Sequence, residues 1–310
     1  MIKRLLLSFA VLFAAGLAAL ALTFAPATLP VDSGATYAAP EAHPPEGMKI
    51  AAIEAGKMLS QAAFAYRGGK LGEERTFGMG GILVQHPQGA LLFDTGFSKD
   101  VDAHFQYVPA LMRATTKYQK EPTVAEQLEA AGIEPATLKA VVLTHAHWDH
   151  VSGIPDLGRV PVWVTQAELD FIHSDDNAAA LAHSFKDVDY QVYGFDGPAY
   201  LGFPHSKDVF GDGSVVIVPA PGHTPGSVIT FVTLPSQQRY AIVGDLVWQT
   251  EGVEIPAERP WVSRVLVDKD SAAVRGHIAH MHAIRQALPD LVVIPAHDRR
   301  VWDRLPKLTQ

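Results

Sequence analysis

Thr144-His145-Ala146-His147-Trp148-Asp149-His150 puts four potential metal ligands within six residues, in an H-x-H-x-D-H pattern. Neutral imidazole and carboxylate suit zinc or another borderline first-row metal. Side chains at i and i+2 of an extended chain point the same way, so His145 and His147 can grip one ion. Asp149 and His150, past the end of the extended stretch, can turn toward a second. The chain has 14 histidines, but ligands rarely crowd this densely without a metal to hold.

The elements that must position this cluster can be read around it. The apolar run Ala140-Val141-Val142-Leu143 reads as a short buried strand and Val151-Ser152-Gly153 as a loop. The same layout recurs. Val215 to Pro219 runs out at Gly222-His223-Thr224-Pro225-Gly226, Tyr240 to Val243 at Gly244-Asp245, and Leu291 to Ile294 at Pro295-Ala296-His297-Asp298. Four strand-like runs thus end in a His or an Asp. If they share one core, their ends converge on one rim.

Lys49 to Ala55 is expected as a first strand. Gly78 to Val84 and Ala90 to Asp94 form a hairpin about the turn His86-Pro87-Gln88-Gly89, leading into Asp94-Thr95-Gly96. Phe97 to Lys120 lacks a strand period and reads as a long loop with a helical piece, a candidate lid. Helical spacing covers Thr123 to Ala131, Gln166 to His173 and Asp270 to Leu288; Val160 to Val164 is a further strand.

The 310 residues, 48% hydrophobic, suffice for one large core or two modest ones. A net charge of −8 without a basic run beyond the extreme N-terminus argues against a nucleic-acid partner. The absence of cysteine excludes disulfides, thiolate ligands and a cysteine nucleophile. Lys3 and Arg4 precede an uncharged apolar stretch from Leu5 to about Ala27. Residues 1–27 therefore read as a signal peptide, cut at Ala25-Pro26-Ala27 or Tyr37-Ala38-Ala39, or as a retained membrane anchor. Either way the remainder is expected to be exported, periplasmic or extracellular. Residues 28–47, rich in Pro, Ala, Ser and Gly, read as a flexible linker before a folded domain over 48–310.

With these residues in view, the chain resembles the metallo-β-lactamase-fold hydrolases from about Met48 to the C-terminus. The carriers are Asp94-Thr95-Gly96, the cluster His145/His147/Asp149/His150, His223 in Gly-His-Thr-Pro-Gly-Ser, Asp245 in Gly-Asp, and His297. The resemblance implies the α+β class and a four-layer αβ/βα sandwich with its site at one edge. It implies that His145, His147 and His223 hold one ion, that Asp149, His150 and His297 hold a second, and that Asp245 bridges them. Asp94 would support the ligands by hydrogen bonding. Two Zn2+, or other divalent first-row ions, would make hydroxide from water and polarise the substrate's carbonyl or phosphoryl oxygen, with Asp149 and Asp245 in the catalytic centre.

Within the superfamily the sequence is similar to the N-acyl homoserine lactone hydrolases, which share the bridging Asp and the histidines. They usually carry a tyrosine three residues after that Asp; here the residue is Trp248, whose indole N–H can donate but not act as an acid. The expected reaction is hydrolysis of a lactone or other ester-like bond of a small molecule. Trp148, Trp248, Trp261, Phe64 and Tyr66 are candidate pocket walls. The alternatives are a glyoxalase II-like thioesterase using Arg299, Arg300, Arg304 and Lys307 for glutathione, a β-lactamase, or a phosphotriesterase-like enzyme. From other classes come a mononuclear iron persulfide dioxygenase and a metal-binding protein without turnover. The only membrane partner expected is through the N-terminal anchor; oligomeric state is not readable.

Overall fold

The computed structural model describes residues 2–32, 34 and 36–308. Among these, one sheet contains β1 (Lys49–Gln61), β2 (Glu74–Gln85), β3 (Leu91–Phe93), β4 (Lys117–Lys120), β5 (Ala140–Val142), β6 (Val162–Val164) and β7 (Tyr190–Val192), in the order β4-β1-β2-β3-β5-β6-β7. The other contains β8 (Lys207–Asp208), β9 (Val215–Pro219), β10 (Val228–Thr233), β11 (Arg239–Gly244) and β12 (Val292–Pro295), in the order β12-β11-β10-β9-β8.

The two sheets face each other across a core that joins Ile50, Ile82 and Phe93 to Val215, Ile217 and Ile242. Each outer face is covered as well. Val218, Phe231 and Val243 pack under the long Ser271–Ala287 helix through Val274, Ile278 and Met281. Leu83, Leu92 and Val141 pack under helices that contribute Leu128, Val151 and Phe171. Strands buried on both faces need no polar alternation, which is why Val215-Val216-Ile217-Val218 is apolar throughout. The result is the four-layer αβ/βα sandwich.

Strand direction explains why the ligands meet. β3 and β5 are parallel, as are β11 and β12. β9 and β11 both pair antiparallel with β10, so they too run the same way. The C-terminal ends of the ligand-bearing strands therefore come out at one edge. The sheets are tied there by the bond from the Val228 N–H to the Thr144 carbonyl, 3.0 Å. The loop after β3 also passes very close to β2. Gly96 has φ +60°, and a Cβ there would lie 2.4 Å from the Gly80 backbone. Only glycine serves this crossing.

The structure differs from the sequence expectations in several places. β1 does not stop at Ala55 but continues past a bulge to Gln61. Trp148–Val151 is a helical turn, so Asp149 and His150 sit on a helix start rather than in a loop. The reason is local: His147 keeps an extended backbone at the N-cap, and the following four residues curl. The segment from Phe97 to Lys120 contains the Val101–His104 and Ala110–Thr115 helices, but its last residues form β4 on the edge of β1. β10 ends in no His or Asp, so the ligand-ending pattern passes over it, yet it is the centre of the second sheet.

Ile2–Phe24 is a helix whose described side chains are exposed nearly throughout. Between it and β1 the described residues form no helix or strand but are bonded to the folded body. Leu29 N–H reaches the Pro256 carbonyl at 2.8 Å, Arg239 donates to the Pro40 carbonyl at 2.8 Å, and His43 N–H reaches Asp212 at 2.7 Å. The Tyr37 ring stands 5.4 Å from that of His280. The described residues of the 28–47 stretch, expected as a flexible linker, thus lie along the domain as an extended strap.

Candidate metal centre

Asp94 holds the cluster in place. Its Oδ1 accepts the Thr144 N–H at 2.8 Å, and its Oδ2 accepts the Thr144 hydroxyl at 2.7 Å and His150 Nδ1 at 2.8 Å. Its φ of +60° is a strained conformation for a residue with a Cβ. These three bonds, with the Thr95 N–H on the His150 carbonyl at 2.9 Å, fix that conformation.

Three of the other four imidazoles are oriented in the same way, through Nδ1. His223 Nδ1 meets Asp268 Oδ1 at 2.9 Å, His297 Nδ1 meets the Gly78 carbonyl at 2.8 Å, and His145 Nδ1 meets the Thr144 hydroxyl at 3.1 Å. An acceptor at Nδ1 selects the tautomer that leaves Nε2 as a free lone pair. The Nε2 atoms of His145, His147, His150 and His223 are buried with no hydrogen-bond partner, as is Asp245 Oδ1. Burying four such lone pairs together would be costly unless they serve a cation.

These atoms form groups close enough to share an ion. His145, His147 and His223 make one; Asp149, His150 and His297 make another; His145, His150 and Asp245 make a third, each with its ligand atoms within 4.8 Å of one another. Asp245 reaches both sides. Its Oδ2 lies 3.4 Å from His223 Nε2, while its Oδ1 lies 2.9 Å from His297 Nε2 and 3.3 Å from His150 Nε2. Asp149 Oδ2 is 3.4 Å from His297 Nε2. All seven residues identified from sequence are thus brought together, and the donor set fits divalent cations of the zinc type.

The electrostatics agree. Burial, reinforced by the neighbouring histidines, holds His145 and His147 well below the usual imidazole range, hence neutral. Burial also works against charge at His150 and His297. It is overcome at His150 by Asp94, Asp245 and Asp149, and at His297 by Asp245 and Asp149, so both are raised. For Asp245, burial opposes ionisation but His297 and His150 outweigh it, holding the carboxyl well below its ordinary value. One end of the cluster is therefore neutral and electron-donating. The other carries carboxylates that draw positive charge.

Three supporting residues carry no sequence signal. Glu168 is fully buried and accepts from Ala146 N–H (2.5 Å), Gly226 N–H (2.9 Å) and the Thr224 hydroxyl (2.7 Å). It clamps the His145–His147 loop to the loop of His223. Burial raises its carboxyl, with those donors pulling the other way. Asp268 is also held by Arg259 at 2.5 Å, and Arg259 donates to the Asp245 carbonyl at 2.9 Å while lying 5.0 Å from the Trp248 ring. Each is a lone residue in sequence, and only tertiary packing brings it to the site.

The cluster floors a cavity of about 540 Å3. His147, Asp149, Asp245 and His297 reach its wall, and most of the rest is apolar, including Met58, Phe77 and Leu266. Of the expected aromatic walls, Phe64, Trp148 and Trp248 line it. The Trp248 indole N–H is not free for a ligand, because it donates to Asp245 Oδ2 at 2.7 Å. Tyr66 and Trp261 do not line the cavity. Tyr66 is buried in the core beyond the Ala62–Ala65 turn. Trp261 is 51% exposed: Val262, Ser263, Leu266 and Val267 take the cavity side of the Trp261–Val267 helix, so position 261 faces out.

Residues 81–297, every proposed ligand among them, match the family model of the metallo-beta-lactamase superfamily. The chain belongs to the metallo-beta-lactamase superfamily. A Mycobacterium tuberculosis protein named "Probable metallo-hydrolase Rv2300c" is 31% identical over 240 residues, covering 70% of this chain and 73% of the relative. The N-acyl homoserine lactonase AttM of Agrobacterium fabrum is 25% identical over 240 residues, covering 73% and 84%. Among solved structures, an N-acyl homoserine lactone hydrolase with N-hexanoyl-L-homoserine at its metal centre superposes with a TM-score of 0.65 at 16% identity, over 84% of this chain and 96% of the other. By membership and by these relatives the chain is a metal-dependent hydrolase of the lactonase-like kind.

Proposed function

We propose that the chain is a dinuclear zinc hydrolase that opens a lactone or other ester-like bond of a small acylated molecule. The observation that carries this reading is the set of orphaned Nε2 lone pairs around Asp245 on the floor of an apolar cavity. His145, His147 and His223 would hold one ion, Asp149, His150 and His297 the other, and Asp245 would link them. When bound, such a pair acidifies water and polarises a carbonyl oxygen. The chain supplies the rest. Asp149 and Asp245 reach the cavity, where a carboxylate can accept the proton of an attacking water and return it to the departing alkoxide. Trp248 orients Asp245 through its N–H. The apolar wall excludes bulk water and binds a hydrocarbon portion of the substrate.

Support for an ester or lactone over a glutathione thioester comes from the C-terminal basic residues. Arg299 pairs with Glu54 and Glu121, Arg300 with Glu251 and Asp298, and Lys307 with Glu54. None of these three, nor Arg304, lines the cavity. The lactonase name of the AttM relatives supports the same direction.

The test is a substrate panel on zinc-loaded protein: acyl homoserine lactones, simple lactones, p-nitrophenyl esters, phosphotriesters, a carbapenem and S-lactoylglutathione. Lactones or carboxylic esters should show the highest kcat/KM, abolished by chelation. Chelator-sensitive turnover confined to the carbapenem, the phosphotriester or the thioester would overturn the reading.

A further inference from the structure

The cavity is not walled by the catalytic domain alone. Leu20 and Phe24, in the last turns of the Ile2–Phe24 helix, line it alongside Tyr107, Leu111 and Leu266. This end of the helix is fastened. The Gly68 N–H caps the Phe24 carbonyl at 3.0 Å, and Arg67 donates to the carbonyls of Leu22 and Ala25, each at 3.1 Å. The Phe24 ring meets Phe64 edge-on at 6.0 Å. The helix also packs against the Trp261–Val267 helix, whose inner face lines the cavity.

The described side chains of the remainder of the helix are exposed. Arg4–Phe24 is 21 residues long and apolar enough to cross a membrane, with none of its most apolar stretch buried. At ~1.5 Å per residue it measures about 32 Å, the thickness of a bilayer's hydrocarbon core. Leu5, Phe9 and Leu12 are each at least 70% exposed. Around the fastened end, Trp261 and Val265 on the outward face of the neighbouring helix and Leu111 on the other side of the cavity are more than half exposed. Tryptophan beside an apolar span is the arrangement of a membrane interface.

We propose that this helix is retained in a bilayer and forms one wall of the substrate pocket, so that long-chain acyl lactones or esters enter the site from the lipid phase. The proposal rests on the ester- or lactone-cleaving reading of the metal centre and names its substrate class. The length and exposure of the helix match the hydrocarbon core of a lipid bilayer. Its last turns fit one role for the cavity beneath, holding an aliphatic tail whose reactive head reaches Asp245.

The test uses full-length, zinc-loaded protein in phosphatidylcholine/phosphatidylglycerol vesicles, with homologous lactones and p-nitrophenyl esters carrying four to twelve acyl carbons. Efficiency should rise with chain length, and Phe24→Ser should cut the preference for the twelve-carbon over the four-carbon substrate by roughly tenfold. Independently of turnover, vesicles containing brominated phosphatidylcholine should quench tryptophan emission, and Trp261→Phe should remove most of that quenching. Intact mass of the membrane-extracted protein should match the uncut chain. A chain-length preference untouched by Phe24→Ser, no quenching, or a protein that begins after Ala27 or Ala39 overturns this proposal while leaving the hydrolase reading intact. No turnover of any lactone or ester at any length overturns both.

Discussion

Asp268 sets the imidazole of His223, and Arg259 sets Asp268. Neither residue lines the cavity, so their effect passes through the ligand. Asp268→Asn can offer its amide N–H where an acceptor is needed, turning His223 away or into the wrong tautomer. Zinc affinity should fall about 10–100-fold, read by competition with a chromophoric chelator. A variant that binds zinc as tightly as the parent would show that the Asp268 bond is incidental. The seven candidate ligands were legible in sequence because a strand followed by a His or Asp recurs four times and the spacing of His145, His147, Asp149 and His150 has few other uses. Asp268, Arg259 and Glu168 were not, since one Asp, Arg or Glu among many carries no period. Trp248 shows the same limit from another side. Its place three residues after Asp245 suggests a substrate contact, but only the fold shows its N–H spent on Asp245 itself.

At the level of elements, strands buried on both faces announce themselves as continuous apolar runs. β5, β9, β11 and β12 are therefore found within a residue or two of their expected limits. Pairing order and length are set by contacts distant in sequence, so the extension of β1 past its bulge, β4 on its edge and β10 at the centre of its sheet come only with the fold. Helix ends obey local rules. Thr123 caps the Val124–Ala130 helix in a capping box with Glu126, its hydroxyl 3.2 Å from the Glu126 N–H and the Glu126 carboxylate 2.7 Å from its own. Thr123→Ala should cost about 1 kcal/mol and lower Tm by about 2–4 °C, with zinc content and turnover unchanged. Thermal denaturation beside a metal assay checks both halves. A loss of zinc would mean that this helix supports the site, contrary to its position.

For the whole molecule, the candidate metal centre joins the two sheets, because its side chains come from the segment after β5 on one and from loops after β9, β11 and β12 on the other. Ions bound there would stabilise the sandwich as well as serve chemistry, by on the order of 4 kcal/mol per site at a thousandfold excess over Kd. Chelation should therefore lower Tm markedly, and zinc should restore it. Because each imidazole must present a lone pair, acid competes with the metal, first at His150 and His297, which the neighbouring carboxylates raise, and only at lower pH at His145 and His147, which burial holds down, so restoration should weaken as pH falls. An unchanged Tm on chelation would mean that the sheets are held without the ions. The most direct test of the central claim is a calorimetric zinc titration of the chelated full-length protein, run beside Asp245→Asn. Two equivalents should bind to the parent, and the variant should lose one of them or bind both far more weakly. A single equivalent in the parent, or two of unchanged affinity in Asp245→Asn, would contradict the two-ion centre.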